Sequence, residues 1–410
     1  MPRVAVIGAG AAGVMASIFA ASAGAETILL ERTRDGGRKI LISGGGRCNI
    51  LPSRVELARF VTDSSAATLR NIVRSWPLDA QIAFFEREAG IPLVEEADSG
   101  KLFPQSQSAR DVRDRLLAYA RSRGTVVQTN SMVTALAQQP SGWIVERDGA
   151  GPVAADAVIL ATGGLSVPST GSDGRGLQIA EALGHRVNAT YPALTPLIAA
   201  PLYAELSGVS LRAEITARSG SRQARATGGF LFTHRGYSGP AVLDVSHVAV
   251  RSTRERQRAI IRVRWTQLDD GAWNQALQRS GPRTVLSAVA REVPQRLAAA
   301  LIAAAAVDPD CRLAHLSRTD RLRLIEVLVR GPLPWTGDEG YRKAEVTGGG
   351  VALSEVHPAT LESRICKGLF LCGEMLDAFG PIGGYNFLWA WATGRAAGIA
   401  AATANQSPRG

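Results

Sequence analysis

Apolar residues fill Val4 to Ile7 without interruption, give way to glycine and alanine, and return as a second block from Ile28 to Leu30. A continuous apolar run bounded by glycine reads as a buried strand, and the small-residue stretch between the two, up to about Ala23, reads as a helix. Region 55–122 reads helical, with a capping box from Ser108 to Asp111 and Gly124 as the closing residue. The short blocks "TVVQT", "SMVTALAQ" and "GWIVERD" then read as strands, followed by the apolar strand "DAVILATGG".

From about Pro192 the pattern changes. Residues 195–266 alternate with the period of half-buried strands ("RAEITARS", "GGFLFTH", "RAIIRVRW"), whereas 269–330 carries helical periodicity, with Pro294 as a first-turn residue and a capping box from Ser317 to Asp320. Pro332, Pro334 and Gly337 mark a boundary. After Gly340 the opening texture resumes with "GLFLCGE", the loop "GPIGGYN" and the small-residue helix "FLWAWATGRAAGIAAA". The predicted organisation is an α/β domain over 1–191 and 342–410, split by a β-rich insert over 192–268, a helical insert over 269–330 and a return linker over 331–341. The final "NQSPRG" reads as disordered.

Composition narrows the class. The chain has 410 residues, enough for two or three domains. No apolar run approaches the ~18 residues that cross a bilayer. The N-terminal stretch imitates a signal peptide, but its glycine spacing fits a strand, turn and helix better, so it is expected to be retained and the protein to be cytoplasmic. Cys48, Cys311, Cys366 and Cys372 form no C-x-x-C pair and no zinc-ligand spacing, so neither a disulfide framework nor a metal site is expected. The net charge is +10, and it comes almost wholly from arginine, densely so between Arg251 and Arg330.

The turn after the first strand carries the chemistry. Gly8-Ala9-Gly10-Ala11-Ala12-Gly13 is a G-x-G-x-x-G placed between strand and helix, and Glu31 ends the next strand. This is a dinucleotide-binding pattern: Gly8 makes the turn, Gly10 lets a pyrophosphate approach the backbone, Gly13 lets the helix pack close, and Glu31 accepts bonds from ribose hydroxyls. Further glycine-bearing turns follow strands at Gly36 to Gly46, at Gly163 and Gly164, and at Gly373 to Gly384. No second G-x-G-x-x-G in this setting occurs, so no separate nicotinamide domain is expected.

The motifs "GRKILISGGGRCN", "ATGGLSVPSTGSDGRG", "FTHRGYSGPA", "EVTGGGVAL" and "GLFLCGEMLDAFGPIGGYNFLWAWATG" resemble those of the BaiN/YhiN-like flavoproteins, also labelled aminoacetone-oxidase-like FAD-binding enzymes, over nearly the whole chain. The resemblance implies a glutathione-reductase-type FAD-binding Rossmann domain, split by a β-rich insert that carries a small helical unit, and oxidoreductase chemistry. It places Gly8, Gly10, Ala11, Ala12 and Gly13 on the FAD pyrophosphate and Glu31, with Arg32 beside it, at the adenosine ribose. Arg38 and Lys39 would lie near phosphates, and Gly373 with Glu374 at the ribityl chain. Gly383, Gly384, Tyr385 and Asn386 would present backbone N–H groups to the pyrimidine edge of the flavin. Gly44, Gly45, Gly46 and Arg47, and Ala161, Thr162 and Gly163, complete the expected cofactor contacts.

Three functions compete. The first is a reductase carrying hydride from reduced FAD to an activated carbon–carbon double bond, with NAD(P)H as a transient reductant and either a small molecule or a uridine of large-subunit ribosomal RNA as substrate. The second is a small-molecule amine oxidase using oxygen. The third is a non-catalytic flavoprotein that docks on RNA or a partner. A reductase needs a proton donor as well as hydride. Cys48 is the expected donor, with Arg47 and Asn49 orienting the substrate, and Tyr385 and His234 are the alternatives.

Overall fold

The computed structural model describes residues 1–97, 99–199, 205–255, 257–279 and 281–404, so Arg256 and the terminal 405–410 lie outside the described residues. Along the chain the elements that matter for the site are β1 (Arg3–Ile7), α1 (Ala11–Ser22), β2 (Glu26–Leu30), α2 (Ala109–Ser122), β3 (Val126–Gln128) and β4 (Ala157–Leu160). They continue with β5 (Ser210–Ser219), β6 (Arg222–Phe232), α3 (Pro240–Ser252), β7 (Ile260–Arg264), β8 (Val346–Val351), β9 (Leu369–Leu371) and α4 (Tyr385–Thr403).

The chain divides into two compact units, one of Met1–Tyr191 with Glu345–Gly410 and one of Pro192–Ala344. In the first, five strands pair in parallel in the order β9-β4-β1-β2-β3. All four residues of β4 and all three of β9 are buried, as a sheet covered on both faces requires. Helix α4 lies against α1 at backbone distance: a Cβ on Gly394 or Gly398 would stand 2.3 Å from the Ala12 or Ala16 carbonyl oxygen. Those glycines are therefore packing residues.

The region expected to be wholly helical also holds strands. Leu93–Glu96 and Lys101–Pro104 pair antiparallel, with Gly100 at φ +60° just before the second strand, and Lys101 and Leu102 pair in turn with Pro52 and Leu51. Likewise "TVVQT" joins the parallel sheet as its edge strand β3, leaving Val133–Gln139, Gly142–Arg147 and Ala150–Ala155 as the antiparallel meander.

In the second unit the β-rich and helical stretches, expected as separate inserts, share one core. Ala213, Ile215 and Ala217 of β5, Ile261 and Val263 of β7, Val242 and Val245 of α3, and Trp273, Leu297 and Leu324 of the helical stretch belong to a single buried cluster. A lone sheet with one apolar face has to cover it, and the helices do so. The chain re-enters the first unit at Glu345.

Candidate functional site

The glycine turn is built by three different constraints. Gly8 adopts φ +99° and a Cβ there would meet the Ala161 carbonyl oxygen at 2.7 Å, so the turn and the β4 end require glycine. A Cβ on Gly13 would fall 1.8 Å from the Gly8 carbonyl oxygen, which is how α1 packs onto its own turn. Gly10 differs from both: its φ of −77° suits any residue, and a Cβ there meets nothing within 4 Å. Its missing side chain keeps open space free at the start of α1.

Helix α1 has no side-chain cap and no acidic residue in its first turn, so the partial positive charge and the unpaired amides of its first turn, beginning with Ala11, Ala12 and Gly13, are left for an anion. Glu31 is 7 % exposed. Its Oε2 accepts from the Ala9 N–H at 2.8 Å, and its Oε1 accepts from the Thr33 N–H at 2.8 Å and the Thr33 hydroxyl at 2.7 Å. The carboxylate thus anchors the turn and keeps lone pairs for further donors. An open glycine, an uncapped helix start and a buried carboxylate at the end of β2 fit the adenosine diphosphate half of FAD.

The loop cations have protein partners. Arg32 pairs with Asp173, and Arg38 Nε donates to Asp35 Oδ1 at 2.8 Å, which holds the Asp35 carboxyl below its ordinary value. Arg47 Nη1 donates to Glu96 Oε1 at 3.0 Å with its guanidinium 4.1 Å above the Phe103 ring. Lys39 reaches the opposite end of the sheet: its ammonium pairs with Glu374 and donates to Ser166 Oγ at 2.6 Å. Glu374 Oε1 also accepts from Ser166 Oγ at 2.6 Å and from the Thr347 N–H at 3.0 Å. Thr347 Oγ1 in turn accepts from the Leu165 N–H at 2.7 Å. One network therefore ties the loop after β2, the turn after β4, β8 and the turn after β9.

Helix α4 fixes the remaining glycines. The Gly373 N–H donates to Thr393 Oγ1 at 3.0 Å, and its carbonyl accepts from Trp389 Nε1 at 3.0 Å. The Asn386 amide brackets Gly380, donating to its carbonyl and accepting from its N–H, each at 2.9 Å. Gly384 is at φ +94° with a hypothetical Cβ 2.4 Å from the Leu51 carbonyl carbon, so only glycine fits, whereas a Cβ on Gly383, Gly45 or Gly46 meets nothing within 4 Å. A Cβ on Gly44 would stand 2.9 Å from the Asn49 N, and one on Gly163 2.7 Å from Ser172 Oγ. Ala161 is buried beside the Gly8 turn, and the Thr162 hydroxyl is buried with no hydrogen-bond partner among the described residues.

The three expected proton donors are placed less favourably. Cys48 is 0 % exposed with its backbone at φ +63°, and burial pushes its thiol up to about 12. Its Sγ reaches no open volume, so contact with a flavin or substrate has no geometric support: the turn that ends the glycine loop folds the side chain inward. Asn49, with its amide oriented to satisfy both ends, accepts from the Gly384 N–H at 3.0 Å and donates to the Leu51 carbonyl at 3.1 Å, so it braces the glycine loop before α4. The Tyr385 hydroxyl donates to the Arg54 carbonyl at 3.1 Å and accepts from the Glu56 N–H at 3.2 Å. His234 lies exposed in the turn after β6, in the second unit. Of the four cysteines, three are buried and Cys311 is partly exposed. A thiol reagent such as dithionitrobenzoate is therefore expected to titrate Cys311 alone in the native protein and all four after denaturation. Rapid native labelling of Cys48 would return it to the surface and to candidacy.

Two acidic residues escaped the sequence reading. Asp377 is 2 % exposed and gathers the Asp63 N–H at 3.0 Å, Ser64 Oγ at 2.8 Å and Asn188 Nδ2 at 2.8 Å, pinning the loop before α4. Glu345 is open to solvent and precedes β8 by one residue, on the same side of the extended chain as Thr347. The protein around it pushes its carboxyl above the ordinary value, against the pull of the Lys39 ammonium. A sequence holds no signal for this, because the crowding comes from residues distant along the chain. Among the described residues no group of acidic, histidine or cysteine side chains could hold a metal, and no helix is long and apolar enough to cross a membrane.

Comparison with known proteins agrees with this construction. The HI0933-like protein Rossmann domain matches residues 2–400. The chain is 32% identical over 411 residues to the 3-dehydro-bile acid delta(4,6)-reductase of Clostridium scindens, covering 98% of this chain and 99% of that one. It is 33% identical over 393 residues to the ribosomal RNA dihydrouridine synthase of Escherichia coli, covering 95% of each. In fold it is similar to the 3-ketosteroid-delta4-(5alpha)-dehydrogenase of Rhodococcus jostii, with a TM-score of 0.53 at 17% identity over 98% of this chain and 96% of that one. The chain belongs to the HI0933-like family of Rossmann-fold, FAD-dependent oxidoreductases, the group its glycine-turn motifs resemble.

Proposed function

We propose that the protein saturates a carbon–carbon double bond conjugated to a carbonyl, and that the bond is the C5–C6 bond of a uridine in large-subunit ribosomal RNA. The observation that carries the reading is chemical. Two relatives matched over almost their whole length are named for reducing a bile acid with 4,6-unsaturation beside a 3-oxo group and for making dihydrouridine, and both names describe a double bond polarised by a carbonyl. The net charge of +10 favours the polyanionic substrate of the pair.

Gly10, the start of α1 and Glu31 would hold the adenosine diphosphate of FAD, and Gly383 with the N-terminus of α4 would face the flavin ring, where a helix start favours negative charge. When bound and reduced, FAD supplies the hydride for the carbon β to the carbonyl. Lys39, held by Glu374 and Ser166, keeps a positive charge beside this side of the sheet. We assign the proton for the α carbon to the Glu345 carboxyl, which is solvent-open and holds its proton to higher pH than an ordinary glutamate. Solvent then reprotonates it. NAD(P)H is the proposed source of the electrons, docking transiently, since the chain carries no second dinucleotide motif.

Mass spectrometry of ribosomal RNA from a deletion strain tests the substrate. Loss of a dihydrouridine, restored by the parental gene, is the expected result. Retained dihydrouridine together with NAD(P)H-dependent saturation of a small enone by the purified protein would move the substrate to a small molecule, and hydrogen peroxide release with an amine in place of either would overturn the reductase reading.

A further inference from the structure

We infer that the solvent face of the β5–β6–β7 ladder in the second unit is the surface that docks the RNA, an inference that rests on the proposed ribosomal RNA substrate. The three strands alternate cleanly. Ala213, Ile215 and Ala217 of β5 and Ile261 and Val263 of β7 point into the core, so the residues between them point outward. That outward face carries Arg212 and Arg218 of β5, Arg225 of β6, and Arg262 and Arg264 of β7, against a single acid, Glu214.

The arginines are staggered. Thr216 lies between Arg225 on one neighbouring strand and Arg262 on the other, Arg218 opposes Gln223 and Ile260, and Arg212 opposes Gly229. No two arginines stand directly opposite one another in these registers, so the face gathers positive charge without the repulsion of cross-strand like pairs. Glu214 Oε2 accepts from Arg225 Nη2 at 2.6 Å, and Arg262 lies 3.5 Å from Glu326 at the rim. Arg212 and Arg218 have no ion pair among the described residues. They are six residues apart on one strand, a span of ~20 Å at about 3.3 Å per residue, which covers several phosphates of a nucleic-acid strand. Exposed ion pairs contribute little in water, so the Arg225 pair yields readily to a phosphate. The core does not need these side chains, since it is built by the opposite face. A staggered row of planar guanidiniums suits phosphate oxygens, which they bind in bidentate fashion.

The test uses the full-length holoprotein and an in vitro transcribed, end-labelled fragment of large-subunit ribosomal RNA, with binding followed by fluorescence anisotropy across a salt series. The double variant Arg212→Glu/Arg218→Glu is expected to keep its flavin, its thermal midpoint and the reduction of its flavin by NAD(P)H. Its affinity for the RNA is expected to fall by roughly tenfold or more, and the slope of log affinity against log salt to shrink by about two, at somewhat under one per lost phosphate contact. Parental affinity and slope in the double variant would overturn the inference while leaving the RNA substrate standing, provided the deletion strain lacks dihydrouridine. Absence of RNA binding by the parent, with dihydrouridine retained in the deletion strain, would overturn both.

Discussion

Gly10→Val is expected to purify as a folded but colourless protein. The parent should be yellow and release FAD, and not FMN, on denaturation, because the glycine turn and Glu31 fit an adenosine diphosphate moiety. At φ −77° valine is unstrained, and a Cβ at this position meets no protein atom within 4 Å, so the apoprotein should melt at the temperature of the parental apoprotein. The valine side chain occupies the space through which a pyrophosphate would approach the α1 amides. Affinity for FAD should fall by on the order of a hundredfold or more, ~3 kcal/mol, measured by flavin fluorescence during reconstitution. Gly13→Ala is the contrasting case, since its Cβ would fall 1.8 Å from the Gly8 carbonyl oxygen and force the helix off its turn, at a cost of about 1–3 kcal/mol or more in stability. A yellow Gly10→Val protein with parental affinity would remove the assignment of this turn to the cofactor.

Replacing Glu345 with glutamine should leave flavin binding and flavin reduction by NAD(P)H intact and slow the reduction of substrate by roughly a hundredfold or more, the scale of losing a general acid. The direction of the pH dependence follows from the raised carboxyl. A donor must hold its proton, so the rate stays level below the raised value and falls as pH climbs through it. The glutamine variant should lose that descending limb. Stopped-flow measurement of the oxidative half-reaction against pH reads both effects. A parental rate with the limb unchanged would leave the proton to water or to another side chain and remove Glu345 from the mechanism.

The dinucleotide turn was legible because its signal is local. Gly8, Gly10, Gly13 and Glu31 lie within one strand-helix-strand unit, and the backbone conformation and close contacts at Gly8 and Gly13 leave no room for a side chain. The strands of the second unit were legible for a similar reason, since alternation with a period of two survives any arrangement of the strands. Pairing was not. Whether β5 lies beside β7, and so whether Arg218 opposes Gln223 or another arginine, depends on register, which is set by contacts between residues far apart in sequence. The same limit misplaced Cys48. A thiol in a glycine-rich, cationic loop reads as reactive, yet the turn folds it inward and burial raises its pKa. The sequence shows Lys39 in a cationic loop, and only the tertiary structure brings it to Glu374, 335 residues away. Local sequence alone determined the Rossmann turn and the elements around it, because short-range sterics and periodicity act within a few residues. Only the tertiary structure decided which charges are paired, which acid is crowded and which face of the second unit is left basic, because desolvation and Coulomb energy depend on neighbours that the linear order does not reveal.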